Sequence, residues 1–144
     1  MKVKITDIKK SINDKLIELF PNMPPPYGKE VVQGHARPCF FTEIYVAVTS
    51  QNKNYFENEG VITITYLQDR VDEVDALNKW DIINQAMDLK LKVKDRYINI
   101  TNKDFSWTGK DNNILQIEIE ISYMDSIYRK DTHPKMKKVE LGGI

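Results

Sequence analysis

Leu115-Gln116-Ile117-Glu118-Ile119-Glu120-Ile121-Ser122-Tyr123 alternates apolar and polar side chains without a break. A period of two is that of a β-strand with one face in a core and the other toward water or a partner. Working outward, the turn residues Gly109 to Asn113 precede this strand, and β-like stretches Arg96–Ile100 and Phe105–Thr108 lie before the turn. Thr101-Asn102-Lys103-Asp104 breaks their phase, which predicts a bulge or loop. These segments form a long hairpin.

A second pair of strands lies upstream. From Cys39 to Ser50 β-branched and aromatic residues dominate, with Phe40, Ile44, Val46 and Val48 on one face and Thr42 as the exception. Pro38 cannot donate to a ladder and belongs at a strand start or edge. A short strand is also expected at Val31-Val32. Gln51 to Gly60 reads as a polar loop around Tyr55-Phe56, with a turn at Asn58-Glu59-Gly60, before a strand from Val61 to Leu67.

Two helices complete the pattern. Ile5, Ile8, Ile12, Leu16 and Leu19 recur at the spacing of one helix face, with Thr6 as the expected cap and Asp7 in the first turn. Phe20-Pro21 ends this helix, because the residue before proline is pushed out of the α region. Pro21 to Gly28 then forms a stiff connector in which Tyr27 is expected to pack on its own domain. A second helix, capped by Asp69 or Asp72, is expected to run to Leu91 with Leu77, Trp80, Ile83, Met87 and Leu91 inward. Lys90, Lys92 and Lys94 would complement its C-terminal dipole. The order helix–hairpin–helix–hairpin predicts an α+β fold, an antiparallel or mixed sheet with two helices on one face. Residues 1–128 are expected to form a single domain, and 129–144, where periodicity fades, a flexible or interface-forming tail.

Composition narrows the function. The 144 residues carry 21 basic and 21 acidic side chains, without the basic excess expected of a nucleic-acid binder. No apolar run approaches the ~20 residues of a membrane helix, and the N-terminus has no signal-peptide pattern. One cysteine, Cys39, allows no internal disulfide and fits a reducing cytoplasm.

Catalytic chemistry finds little support. A zinc site needs three or four ligands, whereas the chain has one cysteine and two histidines, His35 and His133, in no ligand pattern. Cys39 opens an apolar strand and reads as an inert core thiol. Glu118 and Glu120 lie about 7 Å apart on one strand face, a spacing near that of glycosidase carboxylates, but a polar, solvated strand face explains the pair without chemistry. The glycines are scattered at turns and form no phosphate loop. No metal or cofactor is expected. Tyr55 and Phe56 in a polar tip suit either a protein interface or local packing.

The helix Lys4-Ile5-Thr6-Asp7-Ile8 through Phe20-Pro21, then Tyr27-Gly28, then Glu30-Val31-Val32-Gln33-Gly34-His35-Ala36-Arg37-Pro38-Cys39-Phe40-Phe41, resembles the phage tail terminator family. The resemblance is to members from contractile-tail prophages and bacteriocin-like particles of Gram-positive hosts, and the following order of elements extends it over nearly the whole chain. It implies a structural, non-enzymatic protein that forms a homohexameric ring on the tail tube, stops tube polymerisation and joins sheath or neck (collar) proteins. It implies no membrane or sequence-specific nucleic-acid partner. The protein would reside in the host bacterial cytoplasm during assembly, then at the head-proximal end of the tail. The alternatives are another head–tail joining protein of similar fold and, more remotely, a small enzyme with an unrecognised site. A ring needs two different complementary patches per subunit. The candidate interface residues are Tyr55 and Phe56 at the hairpin tip, Lys103 and Lys110 near the second turn, Gln116, Glu118 and Glu120 on the polar strand face, and Arg129 in the tail.

Overall fold

A computed structural model describes residues 3–29 and 36–126. Helix α1 (Ile5–Leu19) is followed by strands β1 (Cys39–Gln51) and β2 (Tyr55–Leu67). Helix α2 (Glu73–Ala86) and strands β3 (Lys90–Val93), β4 (Arg96–Thr108) and β5 (Ile114–Ser126) complete the order. The five strands form one antiparallel sheet in the order β1-β2-β5-β4-β3. The described residues therefore form an α+β fold with two helices. The expected strand at Val31-Val32, His35, and the 129–144 segment with His133 lie outside the described residues.

The sheet's two faces follow directly from the register. Phe40, Tyr66, Leu115 and Trp107 lie across one row, and Thr42, Ile64, Ile117 and Phe105 across the next. Ile44, Ile62, Ile119 and Lys103 make a third row on this inner face, and Val46, Gly60, Ile121 and Ile100 a fourth. Most of these apolar side chains are buried and join Ile8, Ile12, Leu16, Ile83 and Met87 in one core. Both helices touch this face. Thr42 Oγ1 donates to Asn13 Oδ1 of α1 at 2.8 Å, and Trp80 of α2 stacks on Phe105 with centroids 5.1 Å apart. Burying one such Ile or Leu side chain stabilises by about 1.5–3 kcal/mol, so the alternation legible in β5 also locates the core.

The helix ends depart from the sequence expectation. Thr6 is not the cap of α1; Lys4 occupies that position and makes no side-chain capping bond. Asp7 does lie in the first turn, 3.6 Å from Lys94 Nζ. In α2, Asp72 caps by accepting from Asp75 N at 3.2 Å. The helix stops at Ala86 instead of continuing to Leu91. Beyond it the apolar period changes to two, so Leu91 and Val93 are buried while Lys90 and Lys92 are exposed, and the segment becomes β3. Lys94, at φ 56°, then turns the chain into β4. Lys90, Lys92 and Lys94 consequently do not serve the α2 dipole. Lys103 does: its Nζ donates to Asn84 O at 2.9 Å and to Met87 O.

The first hairpin is also tighter than expected. Strand β2 begins at Tyr55, because Asn52 Oδ1 accepts from both Asn54 N and Tyr55 N and closes the turn within residues 52–54. Asn58-Glu59-Gly60 is strand, not turn. A Cβ at Gly60 would lie 2.5 Å from Tyr45 O and 2.9 Å from Val46 Cγ2, so close strand approach explains this glycine. The predicted irregularity at Thr101 is a register shift between Ile100 and Asn102 within a continuous β4.

A polar cluster ties α2 to the sheet. Asp75 accepts from Tyr66 Oη at 2.6 Å, Lys79 Nζ at 2.9 Å and Gln68 Nε2 at 3.1 Å. Lys79 Nζ also lies 5.3 Å and 5.5 Å from the ring centroids of Tyr66 and Phe20. Burial pushes the Tyr66 hydroxyl pKa up, and the Asp75 carboxylate adds to that rise. Burial alone would raise Asp75 as well, but hydrogen bonds from Tyr66, Lys79 and Gln68 outweigh it and hold the carboxyl below its ordinary range.

Two predictions follow from the packing. Gly60→Ala forces β1 and β2 apart and is expected to lower unfolding free energy by about 1–3 kcal/mol in urea titrations; an unchanged midpoint would contradict the close approach. Because folding depresses Asp75, its stabilisation is present above the unfolded pKa of about 4 and is lost as pH falls through the lower folded value. The Asp75→Asn protein should therefore be less stable at pH 7 and lose less than the parent on acidification to pH 3. Equal losses in both proteins would contradict the assignment.

Candidate interaction surfaces

The outer face of the sheet has a different chemistry. Its rows run Phe41, Thr65, Gln116, Ser106; Glu43, Thr63, Glu118, Asp104; Tyr45, Val61, Glu120, Asn102; and Ala47, Glu59, Ser122, Asn99. Glu43, Glu59, Asp104, Glu118 and Glu120 are exposed, and Tyr45 is 69% exposed. Strands β1, β2 and β5 contain no Lys or Arg. Asp104 and Glu118 stand directly opposite each other across β4 and β5, a like-charge pairing that is destabilising when nothing neutralises it. Glu43 lies 3.9 Å from Lys29, whereas Glu57, Glu59, Asp104, Glu118 and Glu120 have no ion pair among the described residues. An open depression of about 400 Å³ on this face is lined by Tyr45, Ala47, Glu59, Val61, Glu120 and Ser122.

Strands β1 and β3 are the sheet edges. The start of β1 is covered, because Tyr27 N donates to Phe40 O at 2.9 Å and Thr42 N donates to Tyr27 O at 3.0 Å. The packing expected of Tyr27 takes this form, with its ring 5.6 Å from Phe41. From Glu43 onward no strand lies on the side of β1 away from β2 among the described residues. At the far end of this edge, Ile5, Val46, Val48, Phe56, Tyr123 and Asp125 line a groove of about 430 Å³. Asp125, 3% exposed, anchors the groove: it accepts from Val3 N at 3.1 Å and Arg96 Nη1 at 2.7 Å.

The sequence-derived interface residues distribute unevenly over these surfaces. Gln116, Glu118 and Glu120 all lie on the outer face, with Gln116 Nε2 donating to Thr65 Oγ1 at 3.4 Å. Tyr55 and Phe56 start β2 on opposite faces; Tyr55 is 39% exposed, and Phe56 lines the groove. Lys110 is exposed in the β4–β5 turn. Lys103 faces inward, where it is bound to the end of α2. Arg129 lies outside the described residues. The β1 edge was missed by residue-by-residue reading, since it is a property of strand order. Among the described residues no group of three His, Cys, Asp or Glu is placed to hold a metal ion, and no helix is long and apolar enough to cross a membrane.

Comparisons with known proteins agree with this architecture. No curated protein matches the chain. A solved structure at 10% identity aligns over 88% of this chain and 94% of its own, with a TM-score of 0.52. At that identity the likeness shows the fold alone. A family model described as phage tail terminator protein matches residues 7–134, which take in α1 from Asp7 onward, α2 and all five strands. This chain belongs to the phage tail terminator family.

Proposed function

We propose that the protein caps the head-proximal end of a phage or phage-tail-like tube, stops its polymerisation and presents the surface to which sheath or neck attaches. The observation that carries this reading is the family match over residues 7–134. A tube grows by heterologous stacking, which continues until something occupies the growing end. A cap must therefore fit the tube on one side and offer no tube-like acceptor on the other.

The fold offers suitable parts. Among the described residues the outer sheet face is uncovered and the β1 edge open, two distinct surfaces of the kind a head-to-tail ring requires, and strand edges can pair between chains through backbone hydrogen bonds. The protein acts as a homohexameric ring of structural, non-enzymatic subunits and needs no metal or cofactor. Its parent is a contractile-tail prophage or bacteriocin-like particle of a Gram-positive host. The ring assembles in the host cytoplasm and stays with the finished particle. Tyr55, Lys110, Gln116, Glu118, Glu120 and Arg129 are its proposed contact residues. Phe56 contributes through the groove, and Lys103 by fixing the adjacent end of α2.

Deleting the gene from its parent particle and measuring tail lengths by negative-stain electron microscopy tests this reading. Overlong tails without attached heads or terminal structures are expected. Tails of normal length beside unattached heads would place the protein in the neck instead. Intact particles would overturn both structural roles.

A further inference from the structure

The chain as a whole is neutral, but its charge is not evenly spread. Residues 127–144 carry Arg129, Lys130, Lys135, Lys137 and Lys138 against Asp131 and Glu140, a net charge of +3. The remainder therefore carries −3. Within the sheet the acidic excess lies on the outer face, where Glu57, Glu59, Asp104, Glu118 and Glu120 form no ion pair among the described residues and the cations Lys90 and Lys92 stand only on the edge strand β3. The two cations of β4 are used elsewhere: Arg96 on Asp125 and Met124 O, Lys103 on the end of α2.

We infer that the outer sheet face is the docking site for the basic segment Arg129–Lys138 of a second copy of this chain. The inference rests on the ring reading above and names the contact that closes the ring. A head-to-tail ring requires two different complementary patches on each subunit, and the acidic face and basic segment are such a pair. Ten extended residues reach up to about 34 Å. Four strands span about 14 Å, so the segment can cross the face with cations over both the Asp104–Glu118 and the Glu59–Glu120 regions. Neutralising Asp104 and Glu118 relieves their mutual repulsion. Strand β5 leaves the sheet at Ser126, beside Tyr55 and eight residues, or about 27 Å, beyond Glu118.

The test uses the full chain. Chains labelled with ¹⁵N are mixed and re-equilibrated with unlabelled chains carrying a nitroxide on Val139→Cys; Cys39 is buried and stays unlabelled. The expected result is at least a twofold loss of amide signal around Glu59, Asp104, Glu118 and Glu120 of the ¹⁵N-labelled copy. The signal should recover in 1 M salt, where the screening length falls to about 3 Å. Asp104→Lys with Glu118→Lys in the labelled copy should abolish the loss. Adding Lys135→Glu, Lys137→Glu and Lys138→Glu to the nitroxide-bearing copy should restore it. These tail changes leave every described residue of the sheet unaltered, so they also test the contact with the acidic face intact. The inference is overturned if no intermolecular broadening occurs, or if broadening appears only when both labels share one chain. Its failure alongside overlong tails on gene deletion would remove this contact and leave the capping role intact.

Discussion

Strand β5 must satisfy opposite demands on its two faces, and the remaining structure depends on how it does so. It is the central strand of the sheet, hydrogen-bonded on both sides. Leu115, Ile117, Ile119 and Ile121 are each at most 1% exposed. The apolar rows that flank them on β2, β4 and β1 complete one core with the two helices. A slip of one residue in β5 would send Glu118 and Glu120 into that core, so the alternation fixes register as well as face. The helices are held by specific contacts at its rim: Asn13 on Thr42, Asp75 on Tyr66, and Lys103 on the end of α2.

Among the described residues the opposite face has no comparable partner. It carries carboxylates and an exposed tyrosine where the inner face carries isoleucines, and two of its carboxylates oppose each other directly. A free, folded subunit tolerates this because water solvates the charges. The arrangement gains a purpose when a cationic surface arrives, since neutralisation then adds to complementarity and disfavours wrong partners. Charged residues on this face also leave little contiguous apolar surface for non-specific stacking.

Much of this was legible in the sequence because one physical signal dominated locally. In α1 and β5 the apolar period is unbroken, so both elements lie where that period places them. Strand β3 was hidden because Met87 and Leu91 extend the helical spacing of α2, although Leu91-Lys92-Val93 already has strand period. The early start of β2 was hidden because Glu57-Asn58-Glu59 is polar, even though Asn58 is buried. Gly60 resembled a turn residue, but its role is set by Tyr45 and Val46, partners far away in sequence. The polar face of β5 was visible from alternation alone. The acidic rows and the open β1 edge required strand order, which periodicity does not encode.

The capping role proposed above puts this chain at one end of a tail tube. Cryo-electron microscopy of purified tails bearing a tagged copy measures that directly. The account predicts a single ring of this chain at the head-proximal end of each tail, with the five-strand sheet fitting each subunit's density. Density for the chain repeated along the tube, located at the opposite end, or missing from finished tails would contradict it.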